Sequence, residues 1–198
     1  DPLVSKLPVA DKPNAVLLAR HNIPLRYSDD DYLALAVANR VFGGDSMTSR
    51  LGNRIRQKEG LSYGVGSQVN ADDSIDGTDD DGSFVIQAIA APQNMERVDV
   101  AVREELARLL ADGITAEELR DAVSGLLTEL EQGRASDGHL AGILQDQLFH
   151  GRTMQFTAAR EAQYRALTVD QVNAAIRRHL DPARLSVFVS GDFDAAAR

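Results

Sequence analysis

VFGGDSMTSRLGNRIRQKEGLSYGVGSQVN, residues 41–70, is the stretch whose reading decides the fold. Gly43 and Gly44 break the chain, a short basic amphipathic helix follows over about residues 46–59, and Gly60 stops it. Met47, Leu51 and Ile55 recur at i, i+4 and i+8, which predicts a buried stripe, while Arg50, Arg54 and Lys58 line a different, basic face. Gly60 stands where a helix end accepts positive φ, and Arg56 and Lys58 fall in the last turn, where cations complement the helix dipole. From Ser62 the period changes to two: Tyr63, Val65, Ser67 and Val69 point one way, and Ser62, Gly64, Gly66 and Gln68 the other. Two glycines on one strand face predict close approach by another backbone.

Upstream, the apolar run 15–19 reads as a strand that His21, Asn22, Ile23 and Pro24 break. Ser28 or Asp29 then caps a helix carrying Leu33, Val37 and Val41, which the glycine pair ends. Downstream, the acidic loop 71–82 leads to a strand over 84–90, and the simplest connection is an antiparallel hairpin with a long tip. Pro92 and Asn94 open a helix with Val98, Val102, Leu106 and Leu109 inward. Thr115 with Glu118 forms a capping-box pair for a helix burying Leu119, Val123, Leu126 and Leu130. Helical pattern returns over 140–149 and, for a turn or two, over 157–165. Thr168 with Gln171 caps a last helix with Val172, Ala175, Ile176 and Leu180 inward, and 185–189 makes the last strand. Strands and helices are partly segregated rather than strictly alternating, which points to an α+β fold: an antiparallel-rich sheet with helices packed on one face. Residues 1–198 read as one domain, and a start at Asp1 without methionine, almost directly at a strand, is expected of a piece of a longer protein.

The 43% hydrophobic content suffices for a packed core in 198 residues. A net charge of -9 disfavours a grip on nucleic acid, which needs clustered cations, and suits a basic substrate or partner surface. The absence of cysteine excludes disulfides, thiol catalysis and thiolate metal sites. No run approaches the roughly 20 apolar residues that span a bilayer, so a soluble chain without membrane insertion is expected. The compartment, periplasmic or cytoplasmic in a bacterium, stays open.

Of the motifs that carry chemistry, most fail on spacing. His21, His139, His150 and His179 include no two at the one-turn spacing of a zinc peptidase helix. Asp72, Asp73, Asp76, Asp79, Asp80 and Asp81 lack the ligand order of a calcium loop and read as a solvated hairpin tip. The segment 43–46 lacks the lysine of a phosphate-binding loop, and no Gly-x-Ser-x-Gly elbow occurs. Arg56 and Tyr63 remain. A guanidinium and a phenol flanking one tight turn can together grip a peptide carbonyl or carboxylate. Equally, Tyr63 shares its strand face with Val65 and Val69 and can be core, and Arg56 can serve the helix dipole alone.

The run Phe42-Gly43-Gly44, then Ser49-Arg50-Leu51, then Arg56-Gln57-Lys58-Glu59-Gly60-Leu61-Ser62-Tyr63, resembles the Gly-Gly, Ser-Arg-Leu, Arg-x-Lys-x-Gly-Leu-x-Tyr pattern of the pitrilysin/insulysin family of inverted-motif zinc metallopeptidases and of their mitochondrial processing peptidase relatives. Asp11-Lys12-Pro13, Gly113-Ile114-Thr115, Leu167-Thr168-Val169 and Ser190-Gly191-Asp192 extend the resemblance over most of the chain. It implies homologous α+β halves, in one chain or two subunits, closing around a peptide-holding chamber. One half carries zinc on an H-x-x-E-H helix. The other, which this chain looks like, supplies an arginine and a tyrosine, here Arg56 and Tyr63, that bind the peptide substrate and help polarise its scissile carbonyl. This chain alone is then expected to hold no cofactor and to be inactive. The alternative the resemblance allows is a structural or assembly domain of the same fold, as in respiratory-complex core subunits.

Overall fold

The computed structural model describes residues 2–75 and 79–193; Asp76, one of the loop acids named above, lies outside them. The elements are β1 (Val4–Pro8), β2 (Ala15–Pro24), α1 (Asp30–Asn39), β3 (Ser62–Asn70), β4 (Asp81–Ala90), α2 (Met95–Asp112), α3 (Ala116–Arg134), α4 (Asp137–Phe149), α5 (Met154–Ala166), α6 (Val169–His179) and β5 (Ser186–Gly191). Two π-helical segments, Arg40–Gly44 and Gly52–Lys58, stand between α1 and β3. The five strands form one sheet in the order β1-β5-β2-β4-β3, antiparallel except where β1 runs parallel to β5. The expected α+β class and the β3–β4 hairpin are both present.

Strand β2 shows why the sheet has one covered face. Ala15, Leu17, Ala19, His21 and Ile23 are buried, and the alternating Val16, Leu18, Arg20, Asn22 and Pro24 are exposed. The buried set packs with Val98, Ala101 and Val102 of α2 and Ile176 of α6 in one core. β2 runs without interruption to Pro24, so the break expected at residues 21–24 does not occur. Pro24 ends the strand, and His21 and Ile23 continue the inward set of Ala15, Leu17 and Ala19. His21 is buried, and burial, with the nearby Arg184 charge, lowers its pKa, so it sits in the core as a neutral ring.

Other expectations need correction. Residues 46–59 do not form one α-helix: turns over 46–48 precede a short helical start at 50–51, and the chain then widens into Gly52–Lys58. Leu51 and Ile55 are buried, whereas Met47 is 50% exposed, because it lies in the turn before the helix begins. The expected turn or two near residue 160 is the full helix α5, and the sheet gains β1, whose five residues are largely exposed. Thr115 and Thr168 both cap their helices with a complete capping box, as read from their spacing.

Candidate functional site

The stretch 41–70 folds against the edge strand β3. A Cβ on Gly43 would lie 2.6 Å from Ser67 Oγ and 2.8 Å from the Ser67 backbone nitrogen, so only glycine lets this π-helical turn approach the strand. The close approach expected at the strand glycines occurs at Gly66, whose added Cβ would meet the Gly43 carbonyl oxygen at 3.1 Å, and not at Gly64, which faces open space. Gly60 has φ 60°, in the left-handed region, and turns the chain from Lys58 into β3. Across that turn Leu61 N–H donates to the Ile55 carbonyl at 2.9 Å.

The basic face does not act as one surface. Arg50 makes a two-pronged pair with Glu118, Nε to Oε1 at 2.7 Å and Nη2 to Oε2 at 2.8 Å, and Nη2 also donates to the Gly113 carbonyl at 2.8 Å. Glu118 also accepts from the Thr115 N–H at 2.8 Å, so one carboxylate ties the short helical start at Arg50 to the start of α3. Arg54 is committed to Glu59 at 3.0 Å, to Glu105 at 3.2 Å and to Glu104, and these hydrogen bonds raise its pKa further. Arg56 differs: it is exposed, and among the described residues no hydrogen bond or ion pair engages it. Internal acids consume its arginine neighbours and leave this one available.

The Arg50–Glu118 pair makes a stability prediction. Burial pushes the Glu118 carboxyl up, but the Arg50 hydrogen bonds and the Thr115 N–H together outweigh it and hold the group below its ordinary value. Removal of one partner from a fully buried pair costs about 3–5 kcal/mol, and with side chains 17% and 29% exposed we expect about 2 kcal/mol for Glu118→Gln at neutral pH. A depressed carboxylate stabilises above its unfolded pKa and loses that contribution as pH falls through the native one. Thermal melts of wild type and Glu118→Gln should therefore differ at neutral pH and converge in acid; a constant gap would remove the ionic explanation.

Tyr63 is placed by a bulge. Ser62 pairs with Ala90 and Gly64 with Ile89, so two steps on β3 oppose one on β4 and Tyr63 is the extra residue. The strand-face alternation that put Tyr63 with Val65 is thereby broken: Val65 is buried, and Tyr63 is 75% exposed with no partner for its hydroxyl among the described residues. The reading of Tyr63 as core is corrected on this ground. Arg56 and Tyr63 stand on opposite sides of the Gly60 turn, and no hydrogen bond or cation–π contact joins them.

The histidines and acids find ordinary roles. His179 Nε2 meets Asp31 at 2.8 Å, and Arg178 pairs with the same carboxylate. His150 stands between Asp73 and Asp146, and His139 is exposed. Asp73 is not part of a solvated tip: it is half-buried and pairs with Arg152. Among the described residues no group of three His, Cys, Asp or Glu side chains is placed to hold a metal ion, so the described residues do not fit a zinc site.

One constellation escapes the sequence reading. Tyr27, Tyr32, Phe156, Arg160 and Tyr164 converge on a cavity of about 640 Å³ in the helical layer. The signal was present, since Phe156, Arg160 and Tyr164 recur at i, i+4 and i+8, but mixed aromatic and cationic character hides such a stripe from a hydrophobic pattern.

Comparison with known proteins places this arrangement. Residues 3–126 match the family model described as the peptidase M16 inactive domain. An uncharacterized zinc protease of Streptomyces coelicolor is 30% identical over 154 residues, covering 77% of this chain and 32% of that protein, so the chain spans about a third of this relative's length. The crystal structure of a peptidase M16 inactive domain from Pseudomonas fluorescens superposes with a TM-score of 0.80 at 25% identity, over 96% of this chain and 43% of that one. A chain of complex III from Candida albicans shares the fold at 14% identity, with a TM-score of 0.73, over 98% of this chain and 47% of its own length. With an α+β sheet covered on one side, a glycine-built turn ahead of the edge strand and no metal-holding cluster among its described residues, the chain belongs to the peptidase M16 inactive-domain family of the zinc proteases.

Proposed function

We propose that this chain is the non-catalytic, substrate-binding domain of a zinc metallopeptidase, and that Arg56 and Tyr63 bind the peptide in an active site completed by a zinc-bearing homologous half. The observation that carries this reading is the contrast within residues 50–63. Arg50 and Arg54 are neutralised by internal acids, whereas Arg56 is left exposed and a bulge turns the Tyr63 hydroxyl outward. An exposed guanidinium donates charge-assisted hydrogen bonds to peptide carbonyls or a carboxylate, and a phenol donates one directional bond to a carbonyl oxygen as negative charge develops there. The partner half supplies the zinc, while this chain supplies Arg56 as a binding contact and Tyr63 as a donor to the developing oxyanion. No cofactor is assigned to this chain.

Arg56→Ala in the assembled enzyme is expected to raise KM about tenfold with a much smaller change in kcat, the pattern of a binding contact present in ground and transition states alike. Peptide-digestion kinetics of the complete two-half protein check this, and an unchanged KM would remove Arg56 from the site. The second reading, an assembly domain without peptidase role, draws only on the shared fold with the complex III chain; it expects wild-type kinetics or no peptidase activity at all.

A further inference from the structure

The cavity in the helical layer is bounded by the turn around Tyr27 and by α1, α3, α4 and α5, and its volume of about 640 Å³ lies within the ~300–1,000 Å³ span of small-ligand sites. Its chemistry is set by Arg160, which is only 8% exposed. The guanidinium carbon lies 4.4 Å from the Tyr27 ring centroid and 5.0 Å from that of Tyr32, so aromatic rings cover the cation. Its Nε and Nη2 atoms, which form one complete side of the guanidinium, are buried without a hydrogen-bond partner. On α4, the buried Gln147 donates its amide nitrogen to the Thr157 hydroxyl and leaves Oε1 without a partner. Three of the six such orphaned atoms among the described residues thus gather at this one cavity.

The nearby charges do not resolve the imbalance. Glu129 is committed to Arg40 at 2.8 Å, Asp146 lies 3.4 Å from His150 Nδ1, and Asp73 is taken by Arg152. A buried, unpaired guanidinium is costly, and ring faces compensate only part of that cost, so the vacant N–H side calls for an anion. Two parallel N–H groups on one side of an arginine match the two oxygens of a carboxylate. Tyr32 and Tyr164 also line the space, and burial pushes both phenol pKa values up, which keeps them protonated and able to donate. Leu126, Leu130 and Ile143 supply the apolar wall.

We propose that this cavity binds an N-acylated apolar amino acid with a free carboxylate, as at the C-terminus of a peptide or in a free N-acyl amino acid. The carboxylate accepts from Nε and Nη2 of Arg160, the amide N–H donates to Gln147 Oε1, and the side chain packs on Leu126, Leu130 and Ile143. Because Nε and Nη2 are closed off from solvent in the structure, binding requires Arg160 to turn this vacant side toward the ligand. The site uses neither Arg56 nor Tyr63, and it stands or falls without them.

Isothermal titration of the full 198-residue chain with acetyl-Ala-Ala-Leu, its C-terminal amide and N-acetyl-leucine tests the site. The acid should bind saturably and the amide at least about tenfold more weakly, the loss expected for charge-assisted hydrogen bonds. Arg160→Gln should abolish that difference, and Ile143→Trp should block binding by filling the cavity. If Arg160→Gln fails to fold, the acid-against-amide comparison on the unaltered chain still decides. Tighter binding of the tripeptide identifies peptide tails as the occupant, and equal or tighter binding of N-acetyl-leucine identifies the free acyl amino acid. Equal affinity for acid and amide, binding undisturbed by Ile143→Trp, or no saturable binding of any of the three would overturn the proposal.

Discussion

Tyr63→Phe in the complete two-half peptidase is expected to lower kcat by about 100- to 1,000-fold, the usual effect of removing one oxyanion donor, worth ~2.7–4 kcal/mol of barrier. The substitution deletes one oxygen and nothing else. Because Tyr63 is 75% exposed and its hydroxyl has no partner among the described residues, stability should change by less than about 0.5 kcal/mol. That combination separates a chemical role from a structural one. A bond formed only as charge develops on the scissile carbonyl lowers kcat and kcat/KM together, whereas a uniform binding contact raises KM alone. Steady-state kinetics on a defined peptide, paired with a thermal melt of each protein, measure both quantities. Wild-type kcat in Tyr63→Phe would withdraw the tyrosine from the reaction and leave it a surface residue on a bulge.

The second large effect concerns the scaffold that positions the site. Phe42 is 0% exposed, and its ring lies 5.8 Å from that of Phe84 on β4. It stands in the π-helical segment Arg40–Gly44, one residue before the glycine that approaches Ser67. Phe42→Ala removes a buried aromatic where the surrounding backbone is pinned to a strand and collapses poorly, so a loss of about 3–5 kcal/mol is expected. For a chain of this length that corresponds to a melting shift of roughly 10 °C. Urea denaturation should show a lower midpoint with an unchanged slope. A loss under about 1 kcal/mol would mean that the turn is not anchored through this ring.

How far the sequence could be read depended on whether a feature was local. The capping boxes at Thr115 and Thr168 and the stop at Gly60 rest on residues within a few positions of one another, the β3–β4 hairpin joins two strands consecutive in the chain, and each occurs in the structure. Features set by distant partners were not legible. Arg50, Arg54 and Arg56 are chemically alike in the chain, and apart from Glu59 beside Arg54 the acids that distinguish them, Glu118, Glu104 and Glu105, lie some 50 to 70 residues away. Asp73 read as a solvated acid because Arg152, 79 residues later, gives no local sign that it pairs there. The cavity around Arg160 is hidden for the same reason, since Tyr27 and Tyr32 come from the other end of the chain.

The sequence by itself determined the class of fold, the order of the strands from β2 onward and the two residues worth testing, because periodicity, caps and the family pattern are written in consecutive positions. It could not determine which way Tyr63 faces. Alternation put it on one face with Val65 and Val69 and left a core position open, and the register of β3 against β4 inserts a bulge at that residue and turns it out. A register is a property of two strands together, fixed by the packing of Val65, Val69 and Phe84 in the core, and so it exists only in the tertiary structure.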